Sequence, residues 1–319
     1  MHFLSMFIKV CLASSFYLST GKGEVITQNF GDCRNYFFGR MEPTGIIPKN
    51  AARICQTYDN KRHYATMYDR DLRIPVYSAY IFEPHGGGDR FDEWQIEPQL
   101  VDKKLSKNME DEILTTIERE KVKKSQAVSD DYKSKDASDY DKGHLNPFSH
   151  HVADASKIAT FSMTNIVPQL STLNQGQWRH YEETMQRETA DCHEAFVLTG
   201  VIPGKKYINN RVNIPSDVWS AVCCIQNNIC QRSWAVIAEN NADVVAPIDI
   251  DNLQNRIKTY TGRGVELFPA KSKRRFGHFS TVNYKSDNYY EMILGTLSEL
   301  FHVLKEEGLR IFSNIFTIA

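Results

Sequence analysis

Three short motifs fall in order between Asp141 and Glu182, and together they restrict this part of the chain to two extended segments followed by a helix. The first is Asp141-Lys142-Gly143-His144-Leu145-Asn146-Pro147, in which a glycine turn leads a histidine into an extended run. The second is Thr164-Asn165-Ile166-Val167-Pro168-Gln169, a short β-branched run that Pro168 is expected to stop. The third, Asn174-Gln175-Gly176-Gln177-Trp178, opens a helical stretch to about Glu188. Asn174, Trp178 and Glu182 recur there at i, i+4 and i+8, which a single helix would set roughly on one side. Such a unit exposes an imidazole at the floor of a cleft and turns an amide oxygen and a carboxylate toward it. An imidazole that titrates near neutrality is a natural general base for water. Oxygen donors suit a hard cation that keeps most of its water, magnesium before zinc. A lone histidine is more often structural, but the flanking motifs weigh against that for His144. His150 and His151 lack such support and read as surface residues.

The region from about Tyr64 to Pro269 resembles the DNA/RNA non-specific endonucleases, whose site is a ββα-metal, or His-Me, finger, and within them the secreted vertebrate members. That family's pattern is Asp-Arg-Gly-His, an asparagine in Thr-Asn-Ile-x-Pro-Gln, and Asn-x-Gly-x-Trp with a glutamate beyond. His144, Asn165, Asn174 and Glu182 stand at the matching positions, in order. The resemblance implies an α+β fold, a mostly antiparallel sheet bearing the finger, and metal-dependent hydrolysis of phosphodiester bonds in DNA, RNA or both. It makes His144 the general base, Asn174 the ligand of Mg2+ or Mn2+, and Glu182 the holder of metal-bound water. Asn165 would orient His144 or the phosphate, and Asp141 would fix the loop or a metal-bound water. Arg90 and Lys142 would be the cations for the phosphate oxygens. Phosphate contacts carry no sequence information, so weak base preference is implied. One position departs from the pattern: Lys142 stands where arginine is usual. It supplies the charge without the planar two-pronged donor set, so arginine there is expected to preserve or raise the rate. Two readings compete with the enzyme. One is a secreted nucleic-acid- or partner-binding protein with this fold and little turnover; the other is a structural extracellular module. Retention of both His144 and Asn174 favours the enzyme.

Composition restricts where substrate can bind. With 319 residues, 41% of them hydrophobic and 11% aromatic, the chain can bury a sizeable core. A formal net charge of -1 excludes a uniformly basic surface, so positive potential for phosphate must be local. The candidate clusters are Lys133, Lys135 and Lys142; Lys205, Lys206 and Arg211; and Lys271, Lys273, Arg274 and Arg275. From Met1 to about Gly21 an apolar run ends in small residues, as in a cleaved export signal. Beyond it, Cys33, Cys55, Cys192, Cys223, Cys224 and Cys230 show no Cys-x-x-Cys spacing. In an exported protein such an even set implies up to three disulfides, without choosing among pairings. No other stretch reaches the ~20 apolar residues of a membrane span, and no motif speaks to oligomeric state.

The expected layout is an export signal at 1–21, a disulfide-bearing extension at 22–60, the nuclease domain at 61–270, and a basic segment with a C-terminal amphipathic helix at 271–319. Tyr64 to Tyr68 and Ile74 to Phe82 read as a hairpin around Asp69-Arg70-Asp71. A glycine-rich loop then leads to Arg90. Lys103 to Ser138, dense in both charges with an apolar patch at Ile113, Leu114 and Ile117, reads as a mobile or helical surface insertion without chemistry. Ser156 to Ser162 is expected to bring the chain back to the sheet. Phe196–Val201, Val212–Ile225 and Trp234–Ala238 read as strands, and Asp249–Tyr260 as a helix capped by Gly262.

Overall fold

The runs of β-branched and aromatic residues do form strands, and they pair in an antiparallel sense throughout. A computed structural model describes residues 25–26, 28–88, 90–91 and 93–270. The expected export signal, the basic run from Lys271 and the C-terminal helix lie outside the described residues. The strands are β1 (Val25–Ile26), β2 (Ala51–Tyr58), β3 (Lys61–Asp69), β4 (Ile74–Ile81), β5 (Gln95–Ile96), β6 (Glu110–Asp111), β7 (Tyr140–His144), β8 (Ile166–Leu170), β9 (Glu194–Ile202), β10 (Lys206–Ile208), β11 (Val212–Ile214), β12 (Asp217–Gln226), β13 (Ile229–Glu239) and β14 (Ala246–Ile248). The helices are α1 (Pro98–Val101), α2 (Arg119–Ser125), α3 (Asp154–Thr160), α4 (Ser171–Gln175), α5 (Gln177–Glu188) and α6 (Ile250–Thr261).

Eight strands make one sheet in the order β1-β2-β3-β4-β9-β12-β13-β14. Side chains alternate across it. On one face Ala65, Met67, Tyr77, Leu198 and Trp219 pack with Phe30 and Phe37 of the preceding segment and with Leu253 and Ile257 of α6. Asp249 caps α6 by accepting the Asn252 N–H, and Gly262 ends it at φ 67°. The other face carries β7, β8 and the helices after them. Buried there is a polar ladder rather than a purely apolar seam. Gln56 Nε2 donates to the hydroxyls of Thr66 and Thr164, Thr66 pairs with Ser78, and the Ser78 hydroxyl donates to Asn165. A buried chain of hydrogen bonds of this kind fixes one register of finger against sheet.

Several expectations are corrected. Residues 22–60 are not laid outside the sheet: β2 pairs with β3 from Ala51↔Asp69 to Tyr58↔Lys61. Ser156 to Ser162 is largely helical, as the end of α3. Pro168 lies inside β8, opposite Lys142, instead of ending it. Each strand of the two-stranded β7–β8 ribbon has an open edge, so a missing N–H is tolerated. The insertion from Lys103 to Ser138 is anchored. Its helix, α2, follows the apolar patch, and Ile113 and Leu114 are 87% and 79% exposed. Val122, Ala127, Val128 and Ala137 are buried in the core beside the finger. Gln126 exchanges two hydrogen bonds with the Glu97 backbone, and buried Asp131 accepts from Arg211, Asn209 and the Val128 N–H.

All six described cysteines pair, as Cys33–Cys55, Cys192–Cys224 and Cys223–Cys230. Cys223 and Cys224 are neighbours on β12, so their side chains leave opposite faces of the sheet. One reaches along the hairpin to β13, and the other reaches the loop after α5. Among the described residues no helix is long and apolar enough to cross a membrane.

Candidate active site

The two-stranded ribbon positions the histidine. β7 and β8 pair from Tyr140↔Leu170 to His144↔Ile166, so His144 ends β7, where the chain leaves the ribbon. Gly143 is required by close approach: a Cβ there would lie 2.2 Å from Gln169 Oε1 and 2.5 Å from Gln169 Cβ. The imidazole of His144 lies between aromatic rings, 5.0 Å from Phe161 edge-on and 5.5 Å from Trp94. Its Nε2 is buried and has no hydrogen-bond partner among the described residues. Removal from water, reinforced by the positive charges of Arg90 and Lys142, pushes the imidazole down to about 3. It is therefore neutral at pH 7 and keeps a lone pair for a proton. Arg90 is itself exposed, with its guanidinium carbon 5.6 Å over the Phe161 ring.

The helical part of the motif is split. Asn174 lies in the last turn of α4, and Glu182 lies in α5 beyond Gly176, whose φ of -100° and ψ of -117° break the helix. A Cβ on Gly176 would lie 2.5 Å from both Asp243 carboxylate oxygens, and Asp243 accepts the Gln177 N–H at the start of α5. The single-helix spacing of Asn174 and Glu182 thus does not hold. Asp141 does the joining instead. Its carboxylate accepts from Ser171 Oγ at 2.8 Å and from the side-chain amides of Asn174 and Gln175 at 2.9 Å each. A carboxylate only accepts, so Asn174 must turn its nitrogen to Asp141, which leaves its amide oxygen as the atom available to a cation. An amide oxygen and a carboxylate are the donor types that suit a hard divalent ion. Burial pushes the Glu182 carboxyl up to about 8, against the lowering influence of the Trp178 indole. A nearby cation would favour its ionised form.

Asn165 lies beneath the site. Fully buried, it accepts from Ser78 Oγ and the Asn146 N–H and donates to the carbonyls of Asn146 and Thr160. Its amide is thus committed to the loop after His144, not to the imidazole. Lys142 Nζ donates to Ser129 Oγ at 2.9 Å and sits 4.1 Å over the Trp94 ring. His150 and His151 are buried, not surface residues, at 3% and 2% exposure. His150 Nε2 meets the Glu182 carbonyl at 3.1 Å and its Nδ1 meets the Tyr80 hydroxyl at 2.9 Å, so it links α5 to the loop after His144. His151 Nε2 meets Asn146 Oδ1 at 2.9 Å. Of the basic clusters, Lys133, Lys135, Lys205 and Lys206 are exposed, whereas Arg211 is an internal tie to Asp131 and to the carbonyls of Lys123 and Gln126.

Two antiparallel strands ending in a neutral histidine, followed by a helix pair whose asparagine is oriented by the first strand's aspartate, define a ββα finger of the nuclease type. The chain belongs to the DNA/RNA non-specific endonuclease family, whose model matches residues 42–266. It is 29% identical over 237 residues to the Endonuclease domain-containing 1 protein of Homo sapiens, a match covering 70% of this chain and 45% of that protein. To the Mus musculus protein of the same name it is 29% identical over 216 residues, 65% of this chain and 41% of that one. The matched region thus spans less than half of either relative. A solved EndoG/EndoGI complex aligns with a TM-score of 0.48 at 17% identity, over 75% of this chain and 90% of that one.

Proposed function

We propose that this protein is a metal-dependent endonuclease that hydrolyses phosphodiester bonds of DNA, RNA or both with little sequence preference, and that it acts outside the cytosol. The observation that carries the reading is a neutral His144 with an unpartnered Nε2 on the same ribbon whose Asp141 orients Asn174. His144 takes the proton of the water that attacks phosphorus. An approaching phosphate raises its basicity, because negative charge favours the imidazolium. Arg90 and Lys142 supply positive charge at the phosphate. Asn174, with Glu182 through water, would hold Mg2+ or Mn2+, which when bound supplies charge neutralisation at the phosphate and the departing oxygen. Asn165 keeps the loop after His144 in place. Three disulfides suit an oxidising compartment and support export.

One observation favours a second reading, a nucleic-acid- or partner-binding protein with little turnover: residue 142 is a lysine, which supplies charge without the two-pronged donor set of arginine. The experiment that decides is incubation of the protein with plasmid and with RNA, with Mg2+ and with chelator, beside His144→Ala. Metal-dependent nicking that His144→Ala loses selects the enzyme, and tight binding without cleavage selects the binder.

A further inference from the structure

Lys142 lies on a closed circuit of contacts that the charged insertion completes. The Trp94 carbonyl accepts the Glu112 N–H at 2.7 Å, which follows the short β5–β6 pairing of Gln95↔Asp111 and Ile96↔Glu110. The Glu112 carboxylate, 9% exposed, accepts the Ser129 hydroxyl at 2.6 Å and the Ser129 N–H at 2.9 and 3.2 Å. The Ser129 oxygen in turn accepts from Lys142 Nζ, and that ammonium sits over the ring of Trp94, where the circuit began. Tyr132 adds a second ring at 5.9 Å. The Trp94 ring then packs on His144.

We propose that Trp94, Glu112 and Ser129 are positioning residues for the reaction proposed above, holding the Lys142 ammonium as a fixed charge beside His144. The inference rests on the nuclease reading only for its catalytic consequence. A lysine on a four-carbon stem is by itself mobile, and ordering it costs side-chain entropy. A carboxylate-backed hydroxyl at one side and an aromatic face at the other remove that freedom before substrate arrives. Among the described residues, the charged groups acting on His144 are Arg90 and Lys142. Lys142 is the one that the circuit holds. The circuit also accounts for lysine where the family has arginine. A guanidinium is longer than the ammonium and can stack on Trp94, but its spread donors would carry the charge away from the point that Ser129 fixes. This reverses the expectation drawn from donor geometry alone: Lys142→Arg should lower the rate.

The test uses the full chain, with Ser129→Ala, Glu112→Gln, Lys142→Met, Lys142→Arg and Trp94→Leu, each checked by circular dichroism. The first readout is the NMR titration of the His144 Hε1 resonance, which needs no turnover. Lys142→Met should raise the His144 midpoint, since removing a like charge favours the imidazolium, and Ser129→Ala should shift it in the same direction by freeing the ammonium. The second readout is the pH-rate profile of Mg2+-dependent plasmid nicking. Ser129→Ala and Lys142→Arg should lower kcat by ~10²-fold with KM nearly unchanged, as for misplacement of a catalytic group. Should Ser129→Ala and Glu112→Gln nick like wild type while His144→Ala is inactive, the circuit is overturned and the nuclease reading survives. Should wild type fail to nick, the nuclease reading fails and the titration still decides: an unchanged His144 midpoint in both Lys142→Met and Ser129→Ala overturns the circuit. Trp94→Leu is the variant most exposed to misfolding, and neither outcome depends on it.

Discussion

Replacing Asn165 with alanine separates a residue that acts on substrate from one that holds the site. Its side chain makes four hydrogen bonds at 2.8–3.1 Å, to Ser78, to the Asn146 N–H and carbonyl, and to the Thr160 carbonyl. Ser78, Asn146 and Thr160 are all at 0% exposure, and Ser78 keeps Thr66 as a partner, so alanine strands three backbone groups away from water. One stranded group costs about 1–3 kcal/mol. Water entering the vacated volume would satisfy some of them together, so the costs do not add, and a loss of roughly 3–5 kcal/mol is expected. At about 2–4 °C per kcal/mol for a domain of this size, the melting temperature should fall by roughly 10 °C. His144→Ala gives up ring contacts with Trp94 and Phe161 but no hydrogen bond at Nε2, so it should lose cleavage with a much smaller melting shift. Calorimetry and plasmid nicking on the two variants make the comparison. An Asn165→Ala protein that melts like wild type yet does not cleave would place Asn165 at the chemistry and refute the reasoning.

Gly143→Ala should cost about 1–3 kcal/mol through overpacking against Gln169 and lower cleavage with it, and Gln169→Gly in the same chain should recover part of both, read by urea unfolding and nicking. Burial pushes His150 down to about 3 from an ordinary value of 6.5. The unfolded chain therefore takes up a proton below pH 6.5 that the folded one refuses, and stability present above 6.5 is lost as pH falls toward 3, at up to about 1.4 kcal/mol per pH unit. Urea midpoints of His150→Gln should show a shallower acid limb than wild type, and parallel limbs would contradict the assignment. Mass spectrometry of the exported protein should find no free thiol among Cys33, Cys55, Cys192, Cys223, Cys224 and Cys230. Reduction should lower the melting temperature markedly, since each bridge contributes ~2–5 kcal/mol.

What was legible in the sequence follows the range of the interactions. Alternation and capping are local, so the β3–β4 hairpin, β9, β13 and α6 could be read directly, as could the order of the finger motifs. The break at Gly176 could not, because the group that forces it, Asp243, is 66 residues from the N–H it caps. The burial of His150 and His151 could not either: a polar ring is buried at little cost only where partners meet it, and two of those partners, Tyr80 and the Glu182 carbonyl, lie far along the chain. The disulfide partners of Cys223 and Cys224 depend on which face of β12 each side chain leaves, a property of the sheet and not of the spacing.

The site residues divide on the same line. His144 and Asn174 are recognisable because the roles proposed for them need particular residue types at a strand end and at a helix turn. What ties their segments together is Asp141, and its effect is directional: accepting from Asn174 and Gln175, it sorts an amide that could point either way, nitrogen toward the carboxylate and oxygen left for another partner. Lys142, one residue on, points across the ribbon from Asp141, because successive side chains on β7 alternate. The two faces of one short strand therefore carry the two halves of the charge arrangement. One face orients the Asn174 amide, and the other sets a cation against the insertion, which its composition alone presents as solvated surface.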